Sequence, residues 1–429
     1  MRPTRGRKLL AGAALGLASL VLGACWPVPG QNGDRTAHNA FEAAFSPDTV
    51  PDLEERWTAS LGPDATGPVV VDRGGAFVRT GDTVTRLQLS SGAEAWSWQL
   101  PDDQIGFGAV SDPLVVDGRV LIGHGFGNLG GHWFGVSLDP VTGQPAPGTA
   151  VSGLLQTARG PIVATVTYGF GTLTPVAIRY GLTDVTGAST VNGGLLAIES
   201  SGSGVSRLTV GTDAVYHAGN GLLSDGAGGL TLGSGVRRFP LAPATTCGPP
   251  SATLFACPTW ATPLVTTTDV VIGPGGLLYV GQAGGSVAAL SASTGAVLWT
   301  AAVGATVTAT PALADGVLYV PTADGDLVAV DADGCGAATC DPLWSAAIDG
   351  TAINEQPAVS GAGDDAVVFV GTSGGTVAAV AACGCGEPTC DTPLWQASVG
   401  AEVTGAPAVS GGKVVVGTST GDVVAFGLP

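Results

Sequence analysis

Short runs of apolar residues that alternate with polar ones, separated by turns rich in glycine and aspartate, extend from about residue 51 to the C-terminus. Val, Leu and Ala dominate these runs, and the runs have the length and two-residue period of β-strands. Helical periodicity is almost absent. The pattern therefore predicts an all-β fold.

The strand pattern repeats about every 48 residues, a period typical of a four-stranded propeller blade. A unit contains an innermost strand that begins at a recurring proline, two further strands and a strand that ends in tryptophan. The eight units begin near Pro68, Pro113, Pro161, Thr209, Val271, Pro311, Pro357 and Pro407. We expect an eight-bladed β-propeller of four-stranded antiparallel blades; seven blades is the alternative, because the third and fourth units are degenerate.

The two ends of the repeat complement each other. The eighth unit stops at Pro429 before any tryptophan strand, whereas an extra tryptophan strand, Leu53–Thr58, precedes the first unit. A solenoid would need a polar cap at each end. The sequence instead predicts a ring closed by the N-terminal strand.

A tryptophan motif identifies the type of repeat. In Ala289–Trp299 an alanine, a Thr-Gly turn and a tryptophan stand at fixed offsets, and Ser137–Gly143 and Gln88–Trp96 are weaker copies. The motif resembles the tryptophan-docking motif of the pyrroloquinoline-quinone-like (PQQ-like) propeller repeat family, and the resemblance covers nearly all of the chain after its first 25 residues. It implies that tryptophans fill the gaps between neighbouring blades. The candidates are Trp57, Trp96, Trp260, Trp299, Trp344 and Trp395.

The resemblance leaves two functional classes open, because the family includes quinone-dependent dehydrogenases and also cofactor-free lipoproteins of the outer-membrane assembly type. The dehydrogenases carry adjacent disulfide-bonded cysteines, a Glu/Asn/Asp calcium cluster and a catalytic aspartate. This chain has no adjacent cysteine pair; its nearest approach is Cys383-Gly384-Cys385. We therefore expect no cofactor, with PQQ and calcium as the alternative.

The N-terminus has the features of an export signal. Four basic residues precede the apolar stretch Leu9–Leu22, which is short for a membrane span. Leu22-Gly23-Ala24-Cys25 resembles a bacterial lipobox, which implies cleavage before Cys25 and lipidation of its thiol; an ordinary export signal is the alternative. We thus expect a signal peptide at 1–24, a lipidated N-terminus and tether at 25–50, and the propeller at 51–429, anchored outside the cytoplasm to an undetermined membrane.

Charge limits the possible partners. The signal contains four of the sixteen basic residues and no acidic ones, so its removal changes the formal net charge from −18 to −22. Such a surface repels nucleic acid and anionic headgroups. We expect no nucleic-acid partner, and membrane attachment through the lipid alone.

The positions just before each innermost strand provide the candidate binding site. They line one mouth of the central channel and depart from the repeat's own consensus, which packing alone does not require; solvated loop ends are the alternative. The candidates are Asp112, Arg159, Asn354, Glu355, Gln356 and Glu402.

Disulfides are expected in an exported chain. The turns Cys335–Cys340 and Cys385–Cys390 match each other, and Cys247 and Cys257 lie in the long turn before Trp260, so each turn is predicted to be closed by its own bridge. Cys383 is left over as a free thiol or another partner for Cys390. Zinc bound by Cys383, Cys385 and Cys390 is the alternative.

Other polar clusters carry weaker signals. His124 and His217 fall near the ends of equivalent strands, where loop histidines are favoured over a metal or acid–base pair. The Asp-Gly pairs of 324–334 fit hairpin turns better than a calcium loop, because no bidentate glutamate follows. The sequence therefore predicts a non-catalytic scaffold for an envelope protein, peptide or glycan. The alternatives are a quinone- or metal-dependent oxidoreductase, or a spacer without a specific ligand.

Overall fold

The repeat forms a ring of antiparallel sheets in the computed structural model, which describes residues 25–101, 108–126, 132–146, 154–159, 162–169, 177–184, 189–198, 208–224, 230–241, 246–247, 255–256 and 258–429. Within these residues the helical segments are three single 3₁₀ turns, Val50–Asp52, Pro274–Gly276 and Gly363–Asp365. In this part of the chain, no helix has the length and apolar character needed to cross a membrane.

The described strands form eight sheets of four or five strands, consistent with the eight blades predicted, and we number the blades in chain order. Two strands, β1 (His38–Asn39) and β2 (Glu54–Ser60), precede the first blade. Blade 1 contains β3 (Val70–Asp72), β4 (Gly75–Thr80), β5 (Thr83–Gln88) and β6 (Glu94–Gln99). Blade 2 contains β7 (Gly108–Val110), β8 (Leu114–Val116), β9 (Arg119–Phe126) and β10 (His132–Leu138). Blade 3 contains β11 (Leu154–Arg159), β12 (Ile162–Gly169), β13 (Ala177–Asp184) and β14 (Ser189–Ile198). Blade 4 contains β15 (Leu208–Val210), β16 (Ala214–Ser224), β17 (Leu230–Pro240) and β20 (Trp260–Pro263), and a hairpin of β18 (Thr246–Cys247) and β19 (Phe255–Ala256) precedes its last strand.

The second half of the ring is more regular. Blade 5 contains β21 (Val271–Ile272), β22 (Leu277–Gln282), β23 (Ser286–Ser291) and β24 (Val297–Ala302). Blade 6 contains β25 (Ala312–Ala314), β26 (Val317–Pro321), β27 (Asp326–Asp331) and β29 (Trp344–Ala347), with β28 (Thr339–Cys340) in the turn before β29. Blade 7 contains β30 (Ala358–Ser360), β31 (Val367–Gly371), β32 (Thr376–Ala381) and β34 (Trp395–Ser398), with β33 (Thr389–Cys390) before β34. Blade 8 contains β35 (Ala408–Ser410), β36 (Lys413–Gly417) and β37 (Asp422–Gly427).

The strand sequences follow from where each strand lies in a blade. Middle strands are covered on both faces by neighbouring blades, so every residue of Val367–Gly371 is buried. Outermost strands have one face in water, and Trp395–Ser398 alternates between half-buried and exposed residues. The apolar runs of the sequence thus mark the second and third strands, and the alternating runs mark the rim.

The N-terminal strand closes the ring, as the sequence predicts. Strand β2 pairs antiparallel with β37, from Glu54 opposite Gly427 to Ser60 opposite Asp422. It thereby supplies the fourth strand of blade 8.

The connections between strands lie on two opposite faces, because antiparallel neighbours reverse direction. One face carries the turns from first to second and from third to fourth strands, such as Arg73–Gly74 and Cys335–Cys340. We call it the turn face. The other face carries the remaining connections, including Ala323, Asn354 and Glu402, and we call it the mouth face.

Candidate functional site

Residues 26–45, which we call the channel segment, run along the inside of the ring. The innermost strand of a blade has no neighbouring strand on the side of the channel, so the N–H groups on that edge need another hydrogen-bond partner. In six blades one such N–H donates to a carbonyl oxygen of the channel segment. The pairs are Val71 to Trp26 at 2.8 Å, Val115 to Pro27 at 2.8 Å, Val210 to Gly33 at 3.2 Å, Ile272 to Asp34 at 3.0 Å, Leu313 to Thr36 at 2.8 Å and Val359 to Ala37 at 2.8 Å.

Side chains connect the segment to the other two blades. In blade 3, Arg159 forms an ion pair with Asp34. In blade 8, the Asn39 side-chain amide donates to the Val409 carbonyl oxygen at 2.9 Å, and both groups are buried. The segment therefore contacts all eight blades, from blade 1 at Trp26 to blade 8 at Asn39.

Apolar contacts hold both ends of the segment. Trp26 is fully buried, Val28 packs in a cluster with Leu114 and Leu155, and Phe45 meets Phe369 edge-on at 5.4 Å. Residues 26–39 thus lie inside the ring, and Phe45 packs against Phe369 after a short stretch in which Ala40, Phe41 and Ala43 are exposed. This differs from the tether expected over 25–50. The sequence lacks the alternation of a strand here because the segment forms about one hydrogen bond per blade rather than pairing along one neighbour.

The segment also contains unusual backbone conformations. Gln31, Arg35 and Ala37 have φ values of 69°, 60° and 52°, in the left-handed region that side chains with a Cβ rarely adopt. Such residues persist where the surroundings determine the conformation. For Arg35 these include an ion pair with Asp269 at 2.7 Å, and its side chain is 3 % exposed.

The sequence placed Arg159 at the mouth, but it ends β11, the first strand of blade 3, and so lies at the turn-face end of that strand. The strand that follows it, β12, is the second strand of the blade and not the innermost one. By their contacts, the candidate mouth residues separate into two groups. Arg159 and Gln356 contact the channel segment: the buried amide of Gln356 donates to the Arg35 carbonyl oxygen at 2.8 Å and to the Pro311 carbonyl oxygen at 3.0 Å. Asp112 instead accepts from Nε of Arg79 at 3.0 Å.

The second group lies at the surface of the mouth face. Asn354 and Glu402 are exposed, and the Asn354 amide lies 3.5 Å from Oε1 of Glu402; Glu355 beside them is half-buried. The sequence thus identified one surface pair and two residues that hold an internal segment. It missed Asp34, Arg35 and Asn39, whose signal was indirect: a ring of innermost strands leaves backbone groups that some segment must satisfy.

Asp349 adds a negative charge to the mouth face, because it lies in the same connection between blades 6 and 7 as Asn354. Burial raises the pKa of its carboxyl, but hydrogen bonds from Thr351 and Thr372, each at 2.7 Å, outweigh that effect, and the net pKa is lowered. Asp349 therefore stays ionised on the face that carries Glu402.

A cavity of about 570 Å³ lies between the channel segment and blades 2 and 3. Its lining includes Pro27, Val28, Asp34, Val115 and Arg159. Three charged residues line it, and two of them, Asp34 and Arg159, pair with each other, while the third is Asp117.

The docked tryptophans lie at six of the junctions between neighbouring blades. Nε1 donates across the gap from Trp57 to the Leu89 carbonyl at 2.9 Å, from Trp96 to Pro140 at 3.1 Å, from Trp260 to Ala292 at 2.9 Å and from Trp395 to Leu53 at 2.9 Å. Trp299 and Trp344 lie over Gly334 and Gly384, where an added Cβ would approach the indole to 2.6 Å and 2.8 Å.

The disulfide-closed turns also join blades. Cys335–Cys340 and Cys385–Cys390 are bonded. The residues that end these turns, β28 and β33, pair in parallel with the outermost strands β24 and β29 of the preceding blade. Cys383 is an exposed free thiol. The predicted Cys247–Cys257 bridge involves Cys257, which lies outside the described residues.

The two internal histidines lie in separate blades. His124 is buried, and burial lowers its pKa. Burial, together with the nearby Arg237 guanidinium, lowers the pKa of His217 to about 3. Both are therefore neutral at physiological pH.

The described residues lack two features of the quinone and calcium site that the resemblance implies. Among the described residues, no group of three or more His, Cys, Asp or Glu could hold a metal ion. Asp34 and Asp112 already pair with arginines, and the chain has no adjacent cysteines.

Comparisons with known proteins agree with this architecture. The chain resembles the structure of quinohemoprotein alcohol dehydrogenase from Comamonas testosteroni at 14% identity, covering 96% of this chain and 81% of that one, with a TM-score of 0.64. It resembles BamB from Moraxella catarrhalis at 16% identity, covering 87% and 97%, with a TM-score of 0.55, and a europium-containing methanol dehydrogenase at 14% identity, covering 95% and 99%, with a TM-score of 0.61. No curated protein sequence matches the chain significantly.

At such low identities these structures establish the fold alone. The family model described as outer membrane protein assembly factor BamB, however, matches residues 48–164 and 251–384, together more than half of the chain. The chain therefore belongs to the family of the outer membrane protein assembly factor BamB, whose repeats are PQQ-like.

Proposed function

We propose that this protein is an extracytoplasmic, lipid-anchored propeller that binds another protein of the cell envelope without catalysing a reaction. The supporting observation is the channel segment. It runs through the centre of the ring, and it engages the innermost strands that would otherwise face a ligand there. The partner protein then binds at the outer surfaces of the disc.

The mouth face of blades 7 and 8 is the binding surface that we propose. Asn354 and Glu402 are exposed there, and Asp349 carries a fixed negative charge. A partner with basic side chains fits this surface, because complementary charge steers association and selects against acidic partners. The family's description as an assembly factor agrees with a protein partner.

The anchor that we propose is Cys25. Its thiol is part-buried and donates to the Asp72 carboxylate at 3.2 Å. Lipid attached there would hold the disc at a membrane, since each buried methylene group contributes about 0.8 kcal/mol. The intact mass of the N-terminal peptide from the membrane-extracted protein tests this step: diacylglyceryl and acyl additions support it, and an unmodified Cys25 contradicts it.

Partner binding is tested by crosslinking in intact cells followed by purification of the full-length protein. We compare the wild type with an Asn354→Ala/Glu402→Lys variant. Its control, Glu387→Lys, introduces the same charge change at an exposed position on the turn face. A partner recovered at stoichiometric yield with the wild type and the control, and reduced at least tenfold with the double variant, supports the proposal. No stoichiometric partner, or equal recovery with all three proteins, contradicts it.

A further inference from the structure

We propose that the turn face of the disc lies flat against the lipid bilayer, with Phe41 and Val141 in contact with lipid. This inference rests on the lipid anchor proposed at Cys25. It adds the orientation of the protein, and it identifies a second membrane-binding element besides the lipid.

The first argument is that no flexible linker separates the anchor residue Cys25 from the folded ring. Trp26, the residue directly after Cys25, donates its N–H to the Val71 carbonyl oxygen at 2.7 Å and accepts from the Val71 N–H at 2.8 Å. Its side chain is 0 % exposed. Lipid on Cys25 would therefore leave the protein beside Asp72, where β3 turns into β4 on the turn face.

The second argument is the distance from that point to the rim. Strand β3 is the innermost of four strands, and strands in a sheet are about 4.8 Å apart, so the outermost strand lies roughly 14 Å farther out. If the rim faced the membrane, this width of blade would separate Cys25 from the bilayer. An anchor without a linker reaches the acyl region only when the turn face approaches the headgroups.

The third argument is independent of the anchor. Among the described residues, six large apolar side chains are exposed, and five of them lie on the turn face or at the turn-face ends of outermost strands. Phe41 is 78 % and Val141 is 71 % exposed on that face, whereas Val265 at 65 % lies on the mouth side. The other three are Val297, Leu298 and Leu343. Apolar residues concentrated on one face indicate a binding surface.

Phe41 is placed for insertion by its neighbours. Strand β1 runs parallel to β30 and brings the chain to the turn face. There the Glu42 carboxylate accepts from the Gly412 N–H at 3.0 Å, and Phe45 packs inside. The backbone on both sides of Phe41 is thus fixed, while its own ring is exposed.

The natural thiol of Cys383 provides a reporter, because it is exposed in a turn of the same face. In the lipidated protein, Cys383 is labelled with a fluorophore; Cys25 is blocked by its lipid. The matched protein carries Cys383→Ser and Ala323→Cys, which moves the label to an exposed position on the mouth face. Both are bound to phosphatidylcholine vesicles that contain a headgroup-spin-labelled lipid, and quenching is measured.

The proposal predicts quenching at least threefold stronger for the label at 383 than for the label at 323. It also predicts that Phe41→Ser reduces quenching at 383, whereas Val265→Ser, an exposed control on the opposite side, does not. Equal quenching at both positions in protein that floats with the vesicles overturns the orientation while the anchor stands. Protein that fails to float with vesicles overturns the anchor and this inference together.

Discussion

Nε1 of Trp57 donates a hydrogen bond to the Leu89 carbonyl oxygen at 2.9 Å, and this contact joins the strand that closes blade 8 to blade 1. The indole also covers Gly92, where an added Cβ would lie 2.6 Å from the ring. Trp299 holds the corresponding position between blades 5 and 6, but its Nε1 is buried without a hydrogen-bond partner. The two tryptophans are similarly buried, at 7 % and 5 % exposure.

Trp57→Phe is therefore expected to cost more stability than Trp299→Phe. Both variants lose similar packing, but only Trp57→Phe removes a hydrogen bond and leaves a buried carbonyl without it, which costs about 1 kcal/mol. Urea unfolding of both variants measures the difference. Equal midpoints would mean that the hydrogen bond does not contribute to ring closure.

The turn that the Cys335–Cys340 disulfide closes, together with the residue before it, provides a matched pair of glycines that tests tryptophan docking. Gly334 and Gly336 have φ values of 78° and 77°, so alanine is strained at both. A Cβ on Gly334 would lie 2.6 Å from the Trp299 ring, whereas a Cβ on Gly336 would meet nothing within 4 Å. We expect Gly334→Ala to destabilise the protein by about 1–3 kcal/mol more than Gly336→Ala, because only the former overpacks a buried contact.

The same comparison is available one blade later, at Gly384 and Gly386. Thermal unfolding of the four variants should give the same order in both turns. An equal loss of stability in Gly334→Ala and Gly336→Ala would mean that backbone strain, and not the contact with Trp299, causes the whole effect.

The sequence predicted the ring of blades better than it predicted the segment that lies inside the ring. Trp57 and Trp395 revealed the closure because packing between blades imposes the same residue at the same place in each unit. Asn39 bonds to Val409, 370 positions away, and Gln356 bonds to Arg35, 321 positions away, and no repeat imposes these contacts. Gln356 was identified because it departs from the repeat, but the sequence does not contain the information that its partner is the backbone of Arg35.

Gln356 is expected to keep the channel segment in place. Its amide holds both the Arg35 and Pro311 carbonyl oxygens inside the ring, so Gln356→Ala leaves two buried acceptors without that donor. Arg35, which is 2 % exposed, should then become accessible to trypsin. Mass spectrometry after brief digestion of the full-length folded protein detects cleavage at this site.

We expect at least a tenfold faster cut after Arg35 in Gln356→Ala than in the wild type. Gln396→Ala removes an exposed amide from the outermost strand of the same blade and serves as the control. Unchanged cleavage in Gln356→Ala would show that the other blades hold the segment without it.

The disulfide Cys335–Cys340 is expected to protect the edge of blade 5. The Thr300 N–H donates to the Ala338 carbonyl oxygen at 2.9 Å, and this bond joins β24 to the turn that the disulfide closes. Replacing both cysteines by serine should cost about 2–3 kcal/mol in the chain-entropy account. Hydrogen exchange at Thr300 should accelerate, while exchange in the middle strand β23 follows the global stability. Unchanged exchange at Thr300 would mean that the turn holds its position without the bond.

Acid sensitivity is expected to arise at His217 before it arises at the carboxylates. The guanidinium of Arg237, its cross-strand neighbour, lies 3.4 Å from Nδ1 of His217, and Arg237 also donates to the Gly219 carbonyl oxygen at 2.9 Å. Burial, reinforced by this cation, lowers the pKa of His217 to about 3, compared with about 6.5 in an unfolded chain.

Between these two pH values, His217 therefore binds a proton in the unfolded chain, whereas it stays neutral in the folded protein. Stability from this group is complete above about pH 6.5 and is lost as the pH falls towards 3, by about 1.4 kcal/mol per pH unit within that window. Urea unfolding between pH 7.5 and 4.5 measures the slope.

His217→Gln tests the assignment. The glutamine can still accept a hydrogen bond from Arg237, and the substitution should flatten the slope, leaving the smaller contribution of His124, which has the same sign. An unchanged slope in His217→Gln would transfer the acid sensitivity to other groups.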